Sequence, residues 1–442
     1  MFQTLKNAWR VPELKSKILF TLLIIVVYRL GSVIPVPFID ADLISAQGNA
    51  LSGTIFEYMS FLSGQAFVTG TLFALSVSPY ITSSIVMQLL TIAIPALERM
   101  AKEGEEGKKK ISAITRVVTV ALALITAFGY TQLLKSGFGT GQTFLTDDGI
   151  FAQVIIIACY CAGASLIMWL AERINEHGIG NGISMILFAN IISGIPALLG
   201  SVWAMMFDNL GKFKPLGLVL AIVSIAITLA IVVMVVWFTE SERRIPIQYA
   251  KRQVGRKMYG GQASHLPLKM NMAGVMPIIF ASSICTLPAT IMMFISEPTN
   301  AGAGKSIYNF FESIFSTTSP VYMIIYFALI IAFAYFYIAI SFNPVEVANN
   351  LKKNGGFIPG IRPGKPTSDY ISKILSKITL IGAIFLGFIA IFPMVLNAVS
   401  ADAFAGIAFG GSSLLIVVGV ALETAREIEA QMTMRHYKGF LQ

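Results

Sequence analysis

The chain has 442 residues, of which 55% are apolar and only 12% charged, with a net charge of +9. Soluble proteins carry about 25% charged residues, so a water-facing surface of this size is excluded, and so is disorder, which needs low hydrophobicity and high charge. Three cysteines exclude a disulfide scaffold, and what remains is a chain whose solvent is largely lipid.

A membrane-crossing helix takes about 20 mostly apolar residues. Ten stretches qualify, at roughly 18–36, 71–94, 111–134, 150–171, 182–206, 216–238, 273–295, 320–342, 375–397 and 404–425. Continuous apolar runs of this length exclude the alternation of a membrane β-barrel. The first stretch follows four basic residues and is too long for a cleaved leader. Arg29 is the one charge well inside a span.

Residues 37–70 contain no Lys or Arg and include GTIFEYMSFLSGQAF, too short a run to cross. It reads either as a short helix returning into an outer vestibule or as an amphipathic helix lying on the surface. The second span is only marginally apolar: Ser76, Ser78, Thr82, Ser83, Ser84 and Gln88 fall in it, with Pro79. Two readings stay open. Its hydroxyls bond their own backbone or a neighbour, or the helix faces a water-filled path or a movable seam. The seventh span has the same character, with Pro277, Ser282, Ser283, Thr286 and Pro288. Two weak, proline-bearing spans in corresponding places predict an internal repeat. Halves of 1–206 and 207–442 hold five spans each, an odd number, so the halves are expected to be inverted.

The sixth loop (239–272) and the eighth (343–374) each exceed 30 residues and mix basic residues with Gly and Pro. Connections that long usually have a role, here docking of a large soluble partner, with purely topogenic charge as the alternative. Of the 32 lysines and arginines, 27 fall at the termini and on the same-side loops and 4 on the opposite loops. The positive-inside rule then puts both termini in the cytoplasm.

No Asp or Glu sits in the central stretch of any span, which argues against an ion-coupled transporter. No HExxH, CxxC or GxSxG occurs, and GAGKS at 302–306 lacks the leading glycine of a phosphate loop, Thr299 standing there. His177, His265 and His436 are scattered, and Cys159, Cys161 and Cys285 read as small buried hydrophobes. No catalytic residue, metal site or cofactor is expected, and without a nucleotide motif energy must come from a partner. A small-solute transporter and a polytopic membrane enzyme are among the classes weighed.

The segments SVSPYITSSIVMQLL, EHGIGNGIS, YAKRQ with SHLPLKMNMAGVMP, NPVEVANNLKKNGGFIPGIRPG and GGSSLLIVV together closely resemble the SecY family of bacterial protein-conducting channels. The resemblance runs from the first span to about residue 425. It implies an all-α polytopic membrane protein, ten transmembrane helices in two inverted five-helix halves around a central pore, hinged between the fifth and sixth spans. Signal-bearing polypeptide substrates would cross it or leave sideways into the lipid bilayer of the bacterial cytoplasmic membrane. The family's apolar pore ring resembles Val77, Ile81, Ile183, Leu187, Ile279 and Ile416. Its plug resembles residues 55–69, with Ile55, Phe56, Met59, Phe61, Leu62 and Gly64. Its lateral gate would lie between the second and seventh spans, flanked by the third and eighth, with Thr82 and Gln88 at the seam and Ser282 and Ser283 opposite. Leu287 stands where some relatives carry a polar gate residue. Arg243, Arg244, Lys251, Arg252, Arg256, Lys257 and Arg362 resemble the docking surface for the motor SecA and the ribosome. The small subunits SecE and SecG would complete the complex.

Overall fold

The computed structural model describes residues 9–46, 60, 63–137, 143–207, 214–249, 252–254, 257–259, 263–292, 314, 319–399 and 411–438. The first span is helix α1 (Pro12–Gly31), opened by a proline whose missing N–H is one of the unpaired donors of a first turn anyway. A short α2 (Ala41–Ala46) follows. The second span begins later than its hydropathy suggests. Residues 63–77 run as turns, and helix starts only at α3 (Ser78–Ala93), which then bends by 100° into α4 (Pro95–Lys102).

Helices α5 (Glu105–Lys135) and α6 (Ile150–His177) are long single spans. The fifth span divides at Gly194 into α7 (Gly182–Ser193) and α8 (Ile195–Met206), where Pro196 starts a new first turn. Helix α9 (Pro215–Glu240) ends the sixth span. The seventh likewise divides, at Thr286, into α10 (Met276–Cys285) and α11 (Leu287–Met292). The eighth is α12 (Pro320–Ser341), continued after Asn343 by α13 (Pro344–Lys353). The ninth is α14 (Lys365–Val399), and the tenth α15 (Gly411–Lys438), which runs 13 residues past the expected end at 425. All ten expected spans therefore contain helix. Among the described residues five helices, or six counting the bent α3–α4 pair, are individually long and apolar enough to cross a bilayer.

Exposed apolar side chains cover whole faces of α1 (Leu22, Leu23, Val26, Leu30) and α9 (Ile222, Leu229, Val233, Trp237). Such faces are what lipid contact requires and water penalises.

Packing sorts the helices into two groups. In one, α3 packs on α5, α5 on α6, and α6 on α1 and α7. In the other, α10 packs on α12, α12 on α14, α14 on α15, and α15 on α9. The groups meet along α3–α10 on one side and through α7–α15 and α8–α9 on the other.

The sixth and eighth loops, read from the sequence as separate connections, share a small sheet. Strand β1 (Glu242–Tyr249) pairs antiparallel with β4 (Ala263–Lys269), Arg243 opposite Leu268 and Ile245 opposite Leu266. Strands β2 (Arg252–Val254) and β3 (Lys257–Tyr259) form a second hairpin between them. The other edge of β1 pairs with β5 (Gly356–Phe357) from the eighth loop. Ile245 and Leu268 on the inner face pack with Ile358 and with Ile371, Ile374 and Ile378 of α14.

Candidate functional site

The largest apolar cluster lies where the two groups of helices face each other. Val77, Ile81, Leu187, Ile279 and Ile416 are buried members of it, and the half-buried Ile183 packs against it. They come from four elements: the start of α3, then α7, α10 and α15. Val77 and Ile81 sit four residues apart, as do Ile183 and Leu187, so each pair lies on one face of its helix. The six residues marked from the sequence are thus brought into one cluster.

One flank of this cluster is the α3–α10 seam. Its hydroxyls are bonded largely within their own chain segments. Ser282 and Ser283 both donate to the Ile279 carbonyl at 2.8 Å. Ser83 instead donates to the Thr115 carbonyl of α5 at 2.9 Å. Gln88 is exposed and donates to Ser84 of its own helix at 3.5 Å, and Thr82 is half-buried. Six residues separate Thr82 from Gln88, about 120° round the helix, so the two do not share a face. Leu287, at the start of α11, is partly exposed.

Leading into α3 is the segment 63–77. Of the residues marked for the plug, Gly64 belongs to it; Ile55, Phe56, Met59, Phe61 and Leu62 lie outside the described residues. The segment is held by groups that the sequence reading did not single out. The Tyr130 hydroxyl of α5 donates to the Phe67 carbonyl, and Tyr160 of α6 donates to the Gly70 carbonyl at 3.3 Å. Their rings pack edge to face, with centroids 5.1 Å apart. Gly163 of α6 lies so close that a Cβ there would come within 2.2 Å of the Leu72 carbonyl oxygen. The one available signal was two tyrosines in otherwise apolar spans, whose hydroxyls need partners when buried.

On the face carrying the sheet, Arg243, Arg244 and Arg362 are exposed. Arg244 donates from Nε to Glu242 at 2.7 Å, and the Arg362 carbonyl accepts from Thr367 at 2.8 Å. Arg252 and Lys257 fall on β2 and β3, while Lys251 and Arg256 lie outside the described residues. The sheet was missed, although the alternation in RRIPIQ and SHLPLK is a period-two signal. Beside it, a cavity of about 400 Å³ is lined by Thr239, Lys269, Asn271, Val275, Gly419 and Arg426. Burial there pushes the Lys269 ammonium below its usual range, with the Arg426 charge adding to the effect. Among the described residues no group of His, Cys, Asp and Glu is placed to hold a metal ion.

Three comparisons bear on this arrangement. The family model described as SecY matches residues 71–425. Chains described as "Protein translocase subunit SecY" match from end to end: that of Streptomyces galbus is 43% identical over 451 residues, covering 100% of both chains. That of Bacillus licheniformis is 41% identical over 445 residues, again covering 100% of both. Among solved structures, "The structure of a protein conducting channel" is similar with a TM-score of 0.64 at 16% identity, over 95% of this chain and 92% of the other. "Sec61 in the Canine ribosome-channel complex from the endoplasmic reticulum" gives 0.63 at 17% identity over the same shares. A third, titled for the plug domain of SecY stabilising the closed state, gives 0.64 at 18% identity over 95% and 92%.

Proposed function

The chain belongs to the SecY family, and from that premise we propose how its parts divide the work of a protein translocation channel. It is the pore-forming subunit of a membrane-embedded protein translocase. We assign the ring to Val77, Ile81, Ile183, Leu187, Ile279 and Ile416. What carries this assignment is that all six gather in one apolar cluster between the two groups of helices. The halves 1–206 and 207–442 are the moving bodies. The α8–α9 contact serves as hinge and the α3–α10 seam as lateral gate, through which apolar segments leave into lipid. Thr82, Gln88, Ser282 and Ser283 belong to the gate helices.

Both termini and the sheet are placed on the cytoplasmic side, in line with the lysine and arginine asymmetry. There the exposed Arg243, Arg244 and Arg362, with Lys251, Arg252, Arg256 and Lys257 around them, form a docking face for SecA or a ribosome. Arginine suits the planar carboxylates of a motor and the phosphates of ribosomal RNA alike. SecE and SecG complete the complex, and the chain performs no catalysis of its own, energy coming from the docked partner.

The test is a crosslink. A single cysteine at Ile81, in a chain stripped of its three native cysteines, is paired with a cysteine midway along a stalled secretory polypeptide. A disulfide at Ile81 and likewise at Ile279 is expected. No crosslink at either position, with the stalled chain verified, overturns the ring assignment.

A further inference from the structure

Arg29 is the only charge well inside an expected span. It sits in the last turn of α1, where a cation suits the helix dipole. That role alone leaves such a side chain free to point at solvent. Here Arg29 is half-buried and donates from Nη1 to Asn190 Oδ1 of α7 at 3.5 Å. Asn190 is 1% exposed and in turn donates from Nδ2 to Ser76 Oγ at 3.3 Å. The fully buried Tyr28 places its hydroxyl beside both Asn190 and Ser76, and its ring stacks on Phe73 at 5.3 Å.

Both ends of the segment leading into α3 converge on this point. Gly64, with φ +64°, sits so that a Cβ would lie 3.1 Å from Arg29 Nη1, 3.1 Å from Asn190 Oδ1 and 3.0 Å from Ser193 Oγ. At the other end Ser76 has φ +51°, a conformation rare outside glycine. Its neighbour is Val77, the first ring residue. Asn190 lies three residues beyond Leu187 on α7, about 4.5 Å along the helix axis. The cluster therefore adjoins the ring on the side to which α1 and α7 both run.

We propose that Arg29, Asn190 and Ser76 form a polar clasp, with Arg29 as a positioning residue, that ties segment 63–76 to the first and fifth spans and so holds Val77 in the closed ring. The proposal rests on the ring assignment. The clasp supplies what apolar packing lacks: the Ser76 backbone is held in a disfavoured conformation by a directional bond. A partly buried guanidinium makes release of Asn190 costly. Loss of the clasp shifts the population toward open forms. A hydrogen bond to a charged group corresponds to about a tenfold to hundredfold change in such an equilibrium.

The experiment measures resting ion conductance of the assembled channel in planar bilayers, together with export of a polypeptide whose signal is impaired. Arg29→Gln, Asn190→Ala and Arg29→Lys are compared with Ile81→Asn. Thermal unfolding of each purified complex checks assembly. Arg29→Gln and Asn190→Ala are expected to raise resting conductance and pass the impaired polypeptide, Ile81→Asn to raise conductance, and Arg29→Lys to restore most of the seal. Should Ile81→Asn leak while the clasp variants stay tight, the clasp is overturned and the ring stands. Should none leak, the ring assignment fails and takes the clasp with it. Should Arg29→Gln fail to assemble, Asn190→Ala, which leaves the charge in place, decides alone.

Discussion

Val77 and Val275 open the two facing helices in the same way. Each is the N-cap residue in right-handed conformation, with φ and ψ of −85° and −5° at Val77 and −91° and −12° at Val275. Each follows a residue of positive φ, Ser76 at 51° and Gly274 at 62°, and each precedes a proline in the first turn. Four residues on stand Ile81 and Ile279, both in the central cluster. The second and seventh spans thus share a local backbone plan, as an internal repeat would produce, and it places Ile81 and Ile279 at the same depth in their helices.

A dry collar fails when one wall becomes polar. Ile279→Asn, 2% exposed in the wild type, is expected to raise ion conductance of the idle channel, because a carboxamide among aliphatic side chains recruits water. Planar-bilayer recording checks this. Ile324→Asn, on the exposed face of α12, should leave conductance unchanged, and equal leakage from both variants would contradict the collar.

Two tyrosines anchor the segment in front of α3. Tyr130→Phe removes the hydroxyl that donates to the Phe67 carbonyl, a cost of about 1 kcal/mol. A lower thermal midpoint and faster amide exchange over residues 63–77 are expected. Tyr160→Phe, which removes the donor to the Gly70 carbonyl, should act in the same direction. Equal exchange in wild type and Tyr130→Phe would remove the anchor role.

The ten spans were legible because lipid demands continuous apolar length, and that demand is written in composition. Their interruptions were less so. Pro79 reads as a helix breaker when the span is taken to start at residue 71. It proves to sit in a first turn, where a proline costs nothing. Pro196 and Pro288 mark the breaks in the fifth and seventh spans in the same manner. The turn at Ser76 had no local signal, since a positive φ is announced by glycine and here a serine adopts it under tertiary constraint. The six collar residues came from a family resemblance, for spacing alone does not separate them from ordinary helix packing. The sheet joining two distant loops escaped because its third strand is only two residues long.

Hydrogen bonds outside the central apolar cluster also join α15 to α1 and to the turn before α7. Glu427 of α15 accepts from the Gly180 N–H at 2.9 Å and from Gln431 at 3.2 Å. Lys17 of α1 donates to Gln431 at 3.3 Å. Glu427→Gln weakens a charge-assisted bond, and a loss of about 1 kcal/mol is expected. Glu427→Ala should lose more, because the Gly180 N–H is then left without its acceptor. Denaturant melts of the detergent-solubilised complex measure both, and the order Gln above Ala in stability is the outcome that matters.

The docking face offers a way to separate charge from scaffold. Arg362 is exposed beyond β5, whereas Ile245 is 2% exposed under the sheet and packs with residues of α14. Arg362→Glu should reverse the charge presented to a partner while the sheet stays folded, so motor-driven export falls and protease resistance of the sixth loop is kept. Ile245→Asp buries a carboxylate among the apolar side chains of that cluster, which is expected to release the β1–β4 hairpin from α14. Export then falls together with protease resistance. Normal export by Arg362→Glu would remove that residue from the docking face. Loss of export by Ile245→Asp with the loop still protected would show that the sheet acts through its surface rather than through its attachment to the ninth span.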